Sequence, residues 1–260
     1  MPARASALGT WYEEHGRHDL PWRATRDRWA VLVSEVMLHQ TQVPRVEPVY
    51  AAFIERFPTP EAMAAATPGE VIQAWGRLGY PRRARRLWDA ATRIAAEGWP
   101  DDLTGLPGVG RYTAGAVRAQ ADDVDVPAVE TNVRRVLERV TGHALTPRQA
   151  DAAMVLVGGP LTGRDRLLAL MDVGALLCHP TAPRCPVCPL RRRCATRGPL
   201  PSEHRPRGQS YDGSFRQRRG DVLARLRAGP TPAALLDADA LASLRRDGLA
   251  VVEQGTARLP

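Results

Sequence analysis

Apolar residues recur at helical spacing through most of the first 178 positions, and alternation of β-branched residues is nearly absent. Trp29, Leu32, Val33, Val36 and Met37 follow one face of a helix, and the whole stretch 29–38 is apolar almost all round, which predicts a buried helix. Val49, Phe53, Ile54 and Phe57 repeat the pattern. Pro44 and Pro48 fit the N-terminus of that helix, and Pro58 and Pro60 close it. Further helices are predicted over 70–77, 83–97, 112–120, 132–140, 148–157 and 166–178. Pro199, Pro201, Pro206, Gly208 and Gly213 then mark a linker over 199–216. Beyond it, helices at 217–227 and 238–246 precede a short hairpin turning at Gly255. The expected architecture is all-α: a helical body over 1–198 and a small winged-helix-like appendage over 217–260, without internal repeats.

Composition adds one restriction. The chain has 260 residues, 44% of them hydrophobic, so a sizeable core needs no disulfide support. All 36 basic residues are arginine, against 28 acids, for a net charge of +8. A GC-rich coding bias accounts for this. Its chemical consequence is that no side-chain amine exists to form a Schiff base. The charge is also clustered. Residues 191–220 hold nine arginines against Glu203 and Asp212, and Arg77, Arg82, Arg83, Arg85 and Arg86 form a group with no acid inside it. Such clusters are either solvated faces or attract a polyanion such as a phosphate backbone. With no signal peptide and no apolar run of membrane length, a cytoplasmic protein is expected. Four closely spaced cysteines in that compartment point away from disulfides.

Three motifs carry candidate chemistry. Cys178, Cys185, Cys188 and Cys194 fall within 17 residues. Zinc ribbons usually present two separated C-x2-C knuckles, and only one occurs here. The spacing therefore favours a [4Fe–4S] cluster and leaves zinc as the alternative. Arg184, Arg191, Arg192 and Arg193 surround the ligands, so a bound metal would hold a cationic loop in one shape. Second, Leu106-Pro-Gly-Val-Gly110 is followed by a helix opening at Arg111. Backbone N–H groups there can hold a phosphate, unless the segment is a plain turn between helices. Third, Glu35 lies inside the apolar helix. A carboxyl buried there resists ionisation and is a candidate general acid, the alternative being an ion pair with an arginine.

Together these segments resemble the helix-hairpin-helix DNA glycosylases, the superfamily of endonuclease III and the MutY-type adenine glycosylases. The resemblance spans about residues 8–197. It rests on Leu20-Pro-Trp-Arg23, Ser34-Glu-Val-Met-Leu-His-Gln-Thr-Gln-Val43, Leu78-Gly-Tyr80, Leu106-Pro-Gly-Val-Gly-Arg-Tyr-Thr-Ala-Gly-Ala116, Glu130-Thr-Asn-Val133 and the cysteine spacing. The Ser34–Leu38 stretch points to the adenine branch. The resemblance implies two helical lobes, a [4Fe–4S] cluster on the four cysteines, and double-stranded DNA carrying a mispaired or damaged base as partner. It implies excision of adenine opposite 8-oxoguanine or guanine, with the nucleotide flipped out of the stack. Glu35 would protonate a ring nitrogen of the base, and position 130 would supply the carboxylate that meets the cationic sugar. Tyr112 and Asn132 would orient base and carboxylates. Gln40 and Tyr80 would wedge into the stack, and Leu106, Gly108, Val109, Gly110 and Arg111 would hold the backbone.

The same comparison implies monofunctional chemistry. Bifunctional relatives carry a lysine nucleophile where this chain has Tyr112. Three positions depart from the pattern. Glu130 replaces an aspartate, His39 replaces a glutamine, and the 66 residues after Cys194 are too few for the usual domain that inspects 8-oxoguanine. These departures keep two alternatives open: a glycosylase of the same fold acting on thymine, uracil or a damaged purine, or a catalytically weakened DNA-binding protein. A monomer associated with the bacterial nucleoid is expected.

Overall fold

The structure, a computed structural model, describes residues 6–200 and 210–260. Among these, no helix is long and apolar enough to cross a membrane. The chain divides into two compact units. Of the described residues, one comprises 6–35 and 109–200, the other 36–108 and 210–260.

The first unit is built on α1 (Ala7–His15), the N-terminal part of α2 (Arg28–Leu38), α7 (Arg111–Asp122), α8 (Thr131–Thr141), α9 (Pro147–Gly158) and α10 (Gly163–Asp172). Its core gathers Leu8, Val133, Val136, Leu137, Met154, Leu167 and Leu170. Sequence-local chemistry sets the helix starts. Thr146 and Gln149 form a capping box at α9, with Pro147 at the first helical position. Glu130 caps α8 with its own side chain. The helix expected over 166–178 is two elements. It is α-helical to Asp172 and then widens into a π-turn over Val173–Leu177. Within it, a Cβ at Gly174 would lie 2.7 Å from Asn132 Cβ and 2.8 Å from its carbonyl oxygen, so only glycine fits this close approach.

The second unit holds α3 (Val43–Arg56), α4 (Pro60–Ala64), α5 (Pro68–Trp75), α6 (Arg82–Glu97), α11 (Phe215–Ala228) and α12 (Ala238–Arg246). Phe53 meets Phe57 and Trp75 edge-on, with ring centroids 5.1 and 5.9 Å apart. The short α4 escaped the periodicity. The appendage carries a three-stranded antiparallel sheet in the order β1-β3-β2, from β1 (Thr231–Pro232), β2 (Val251–Glu253) and β3 (Thr256–Arg258). Its hairpin turns at Gln254 and Gly255, both at positive φ (48° and 77°), the geometry of a tight two-residue turn. β1 was not visible in the pattern because two residues carry no alternation. The appendage packs on α5 and α6. Gly69 N–H donates to Pro260 O at 2.7 Å, Gln73 Nε2 to Arg227 O at 3.1 Å, and Arg85 Nη1 to Gly248 O at 3.1 Å. Of the linker expected at 199–216, positions 201–209 lie outside the described residues.

Candidate active site

Glu35 is 3% exposed on α2. α7 supplies its polar neighbours. Gln120 Nε2 donates to Glu35 Oε1 at 2.7 Å, and the Tyr112 hydroxyl also hydrogen-bonds the carboxyl. Burial pushes Glu35 up from the ordinary carboxylate range. The bonds from Tyr112 and Gln120 oppose this, the Glu130 charge adds to it, and Arg23 pulls weakly down. Tyr112 is held well above an ordinary phenol by burial and by the charges of Glu35 and Glu130. It is therefore a hydroxyl donor throughout the physiological range.

Glu130 is half-buried at the N-terminus of α8. Its Oε2 accepts from Asn132 N–H at 2.7 Å and Asn132 Nδ2 at 3.2 Å, and its Oε1 accepts from Val133 N–H at 2.8 Å. Burial pushes this carboxyl up too, but the two amides and Arg135 oppose it, as does the positive end of the helix. Asn132 is fixed from the other side. Arg135 Nη2 donates to its Oδ1 at 2.8 Å, while the same guanidinium reaches Cys178 O and Gly174 O at 2.6 and 2.7 Å. Gly115 lets α7 approach the strand of chain leading to Glu130: a Cβ there would meet Pro127 O at 2.7 Å. The four residues expected to act in catalysis thus converge within one unit. Burial raises both carboxyls; Glu35 is the deeper, and Glu130 is held by amide donors that oppose its rise. Gln120 was missed by sequence reasoning, since nothing local distinguishes it from a helix-surface glutamine.

In the second unit, Gln40 and Tyr80 share a rare feature: both are non-glycine residues at positive φ, 55° and 48°. Arg83 ties their segments together. Its guanidinium donates to Val36 O, Met37 O and His39 O at 2.7–2.8 Å, to Thr41 Oγ1 at 2.9 Å and to Gly79 O at 3.1 Å. It also lies over the Trp75 and Tyr80 rings, 5.1 and 5.4 Å from their centroids. Tyr80 itself is 48% exposed. Burial and the charge of Arg83 hold His39 below an ordinary imidazole, so its ring is neutral.

The hairpin forms as expected. Leu106 and Val109 are buried, and Gly110 precedes α7 with no side chain over the helix N-terminus. Gly108 has φ 80°, and a Cβ there would meet Arg86 Cβ at 2.9 Å. Arg111 pairs with Asp151. Part of the acid-free arginine cluster finds its partners outside the cluster. Arg82 pairs with Asp247, Arg85 with Asp89 and Gly248 O, and Arg83 is the hub just described. Its partners lie far away in sequence, or a helical turn further on, and were not counted.

Cys178, Cys185, Cys188 and Cys194 line one cavity with Arg139 and Leu190. Arg139 Nη1 donates to Cys178 Sγ at 3.4 Å and to His179 O at 2.8 Å. Among the described residues, no three His, Cys, Asp or Glu side chains converge on a point suited to a single ion.

Residues 33–157 match the model of the HhH-GPD superfamily base excision DNA repair proteins. The adenine DNA glycosylase of Mycolicibacterium smegmatis is 46% identical over 237 residues, covering 86% of this chain and 80% of the relative. The chain belongs to the HhH-GPD superfamily. The human adenine DNA glycosylase is 37% identical over 82% of this chain and 43% of its own length. Among solved structures, a thermostable thymine-DNA glycosylase superposes with a TM-score of 0.64 at 27% identity, covering 73% of this chain and 92% of that one. Family membership agrees with the fold and motifs expected from the sequence.

Proposed function

We propose that this chain is a monofunctional base-excision DNA glycosylase that hydrolyses the N-glycosidic bond of adenine mispaired with 8-oxoguanine or guanine. The observation that carries it is the pairing of buried Glu35 with helix-capping Glu130, on a chain 46% identical to an adenine DNA glycosylase. Neutral Glu35 gives its proton to a ring nitrogen of the base. The bond from the sugar C1′ then breaks with its electron pair leaving on the base. The Glu130 carboxylate, oriented by Asn132, stabilises or captures the cationic sugar. Water finally adds at C1′ and loses a proton to a carboxylate, leaving free base and an intact abasic strand. Tyr112 orients Glu35 and supplies no amine.

The DNA partner is double-stranded. Gln40 and Tyr80 enter the stack beside the flipped base, and the hairpin residues Leu106–Gly110 with Arg111 hold a phosphate. The thermostable thymine-DNA glycosylase keeps thymine excision as a second reading. We assign 1–198 to the glycosylase body, 199–216 to a linker and 217–260 to an appended module, in a monomeric, cytoplasmic, nucleoid-associated protein.

The cysteine cavity fits a [4Fe–4S] cluster. All four thiols line the same cavity, and the single C-x2-C among the four cysteines suits a polynuclear group better than a zinc ribbon. Cys178, Cys185, Cys188 and Cys194 would hold it, and it would supply a structural brace for the basic loop. Iron and acid-labile sulfide analysis separates it from zinc.

Single-turnover assays on duplexes carrying A, T or U opposite G or 8-oxoguanine test the activity. Glu35→Gln is expected to abolish excision, a loss of at least about 10²-fold. Glu130→Asp, which restores the family's shorter side chain, is expected to preserve or raise the rate. Full activity in Glu35→Gln overturns the mechanism.

A further inference from the structure

Gln120 has no role in the mechanism above, yet it is 1% exposed and touches its central group. It stands eight residues beyond Tyr112 on α7, and both side chains reach Glu35. Its backbone is fixed. Arg164 Nη1 donates to Gln120 O and to Thr25 O (3.2 Å), and Nη2 to Arg23 O at 2.6 Å. The amide group therefore meets Glu35 from an anchored position.

An amide N–H donates and cannot accept a proton. The carboxyl oxygen facing it must be an acceptor in both charge states of Glu35. In the neutral acid, Oε1 is then the carbonyl oxygen, and the hydroxyl proton sits on Oε2. We propose that Gln120 is a positioning residue that holds Glu35 Oε1 as a permanent acceptor and so assigns the transferable proton to Oε2. This rests on Glu35 being the general acid. The same bond favours the carboxylate over the acid, so Gln120 also limits how far burial raises Glu35. The other groups facing Glu35 are Tyr112 on α7, Glu130 at the start of α8 and Arg23 from the N-terminal segment. Gln120 is the neighbour that can be changed without altering a charge or the proposed catalytic set.

The test is Gln120→Met, which keeps the side chain's length and removes the donor. Glu35 is titrated directly by the carboxyl carbon shift in protein labelled with 13C-glutamate, its signal identified by its loss in Glu35→Gln. A charge-assisted hydrogen bond is strong enough that its removal should raise the midpoint by about one pH unit. The pH at which single-turnover excision declines should rise equally, because the active form is the protonated acid. Gln120→Asn retains a donor one methylene short and should move the midpoint in the same direction by less. It also serves if the methionine variant does not fold. An unchanged midpoint overturns the proposal. So does a lowered one, which would mean that the amide oxygen accepts from the neutral acid. If the titration shifts and the rate profile stays in place, the hydrogen bond stands and Glu35 is not the acid.

Discussion

Asp172, at the end of α10, has no exposed surface. It accepts four hydrogen bonds: from Arg17 N–H at 2.9 Å, Arg17 Nε at 2.7 Å, and Arg23 Nη1 and Nη2 at 2.6 and 2.8 Å. Burial alone would push its carboxyl up. The bonds and charge of Arg23, with those of Arg17, outweigh that and hold it below the ordinary range. Asp172→Asn keeps the shape and removes the charge, leaving the buried Arg23 guanidinium against an amide whose NH2 faces N–H donors. Breaking a buried pair in this way costs about 3–5 kcal/mol, a large part of the ~5–15 kcal/mol that holds a domain folded. In urea unfolding followed by far-UV circular dichroism, the midpoint should fall by roughly 2 M for a slope of ~2 kcal/mol/M. The pH dependence follows from the direction of the shift. A depressed carboxyl contributes stability that is fully present above the unfolded value of about 3.9 and disappears as pH falls through the lower folded value. The gap between wild type and variant should hold steady between about pH 5 and 8 and close below about pH 4. A loss under ~1 kcal/mol, or a gap that widens towards acid, refutes the network as a source of stability.

Borohydride added during turnover should trap no protein–DNA adduct, because Tyr112 and an arginine-only complement leave no side-chain amine to form an imine; an efficient adduct contradicts water as the final nucleophile. Arg83→Met should lower the unfolding free energy by about 2–4 kcal/mol, the cost of leaving several part-buried carbonyls without their donor. It should also weaken binding to duplexes that need base flipping more than binding to undamaged duplex. Equal weakening of both would show that Gln40 and Tyr80 do not act as the wedge.

The long helices were legible because their information is local. The apolar run at Trp29–Met37, the proline at the start of α3 and the glycine-bounded hairpin each state their structure within a few residues. The break in the expected 166–178 helix was not legible. The π-turn brings Gly174 against Asn132, a contact across 42 positions that leaves no periodic trace. The same division runs through the site. Glu35 stood out because a charge in an apolar helix is anomalous by itself. Glu130 stood out only through the family pattern, although the structure gives it an ordinary physical role as the cap of α8. Gln120 did neither. Its meaning arises from Glu35, 85 residues earlier in the chain.

The arginines show most clearly what a charge count omits. In sequence, 36 arginines on a +8 chain suggest a broad phosphate-binding surface. In the structure, several of them, from buried Arg135, Arg139 and Arg164 to half-buried Arg83 and exposed Arg193, bind carbonyl oxygens. Arg83 takes the end of α2, Arg135 the π-turn, Arg139 the start of the cysteine loop, Arg164 the segment before α2 and the end of α7, and Arg193 the end of α9. Each joins segments distant in sequence through a planar fork of donors, a task for which the single point charge of lysine is poorly shaped. Others are neutralised by Asp151, Asp172 or Asp247. A share of the arginines thus serves as internal bracing, so the number of phosphates neutralised on binding, and with it the salt dependence of DNA affinity, should be below what the raw count of arginines suggests.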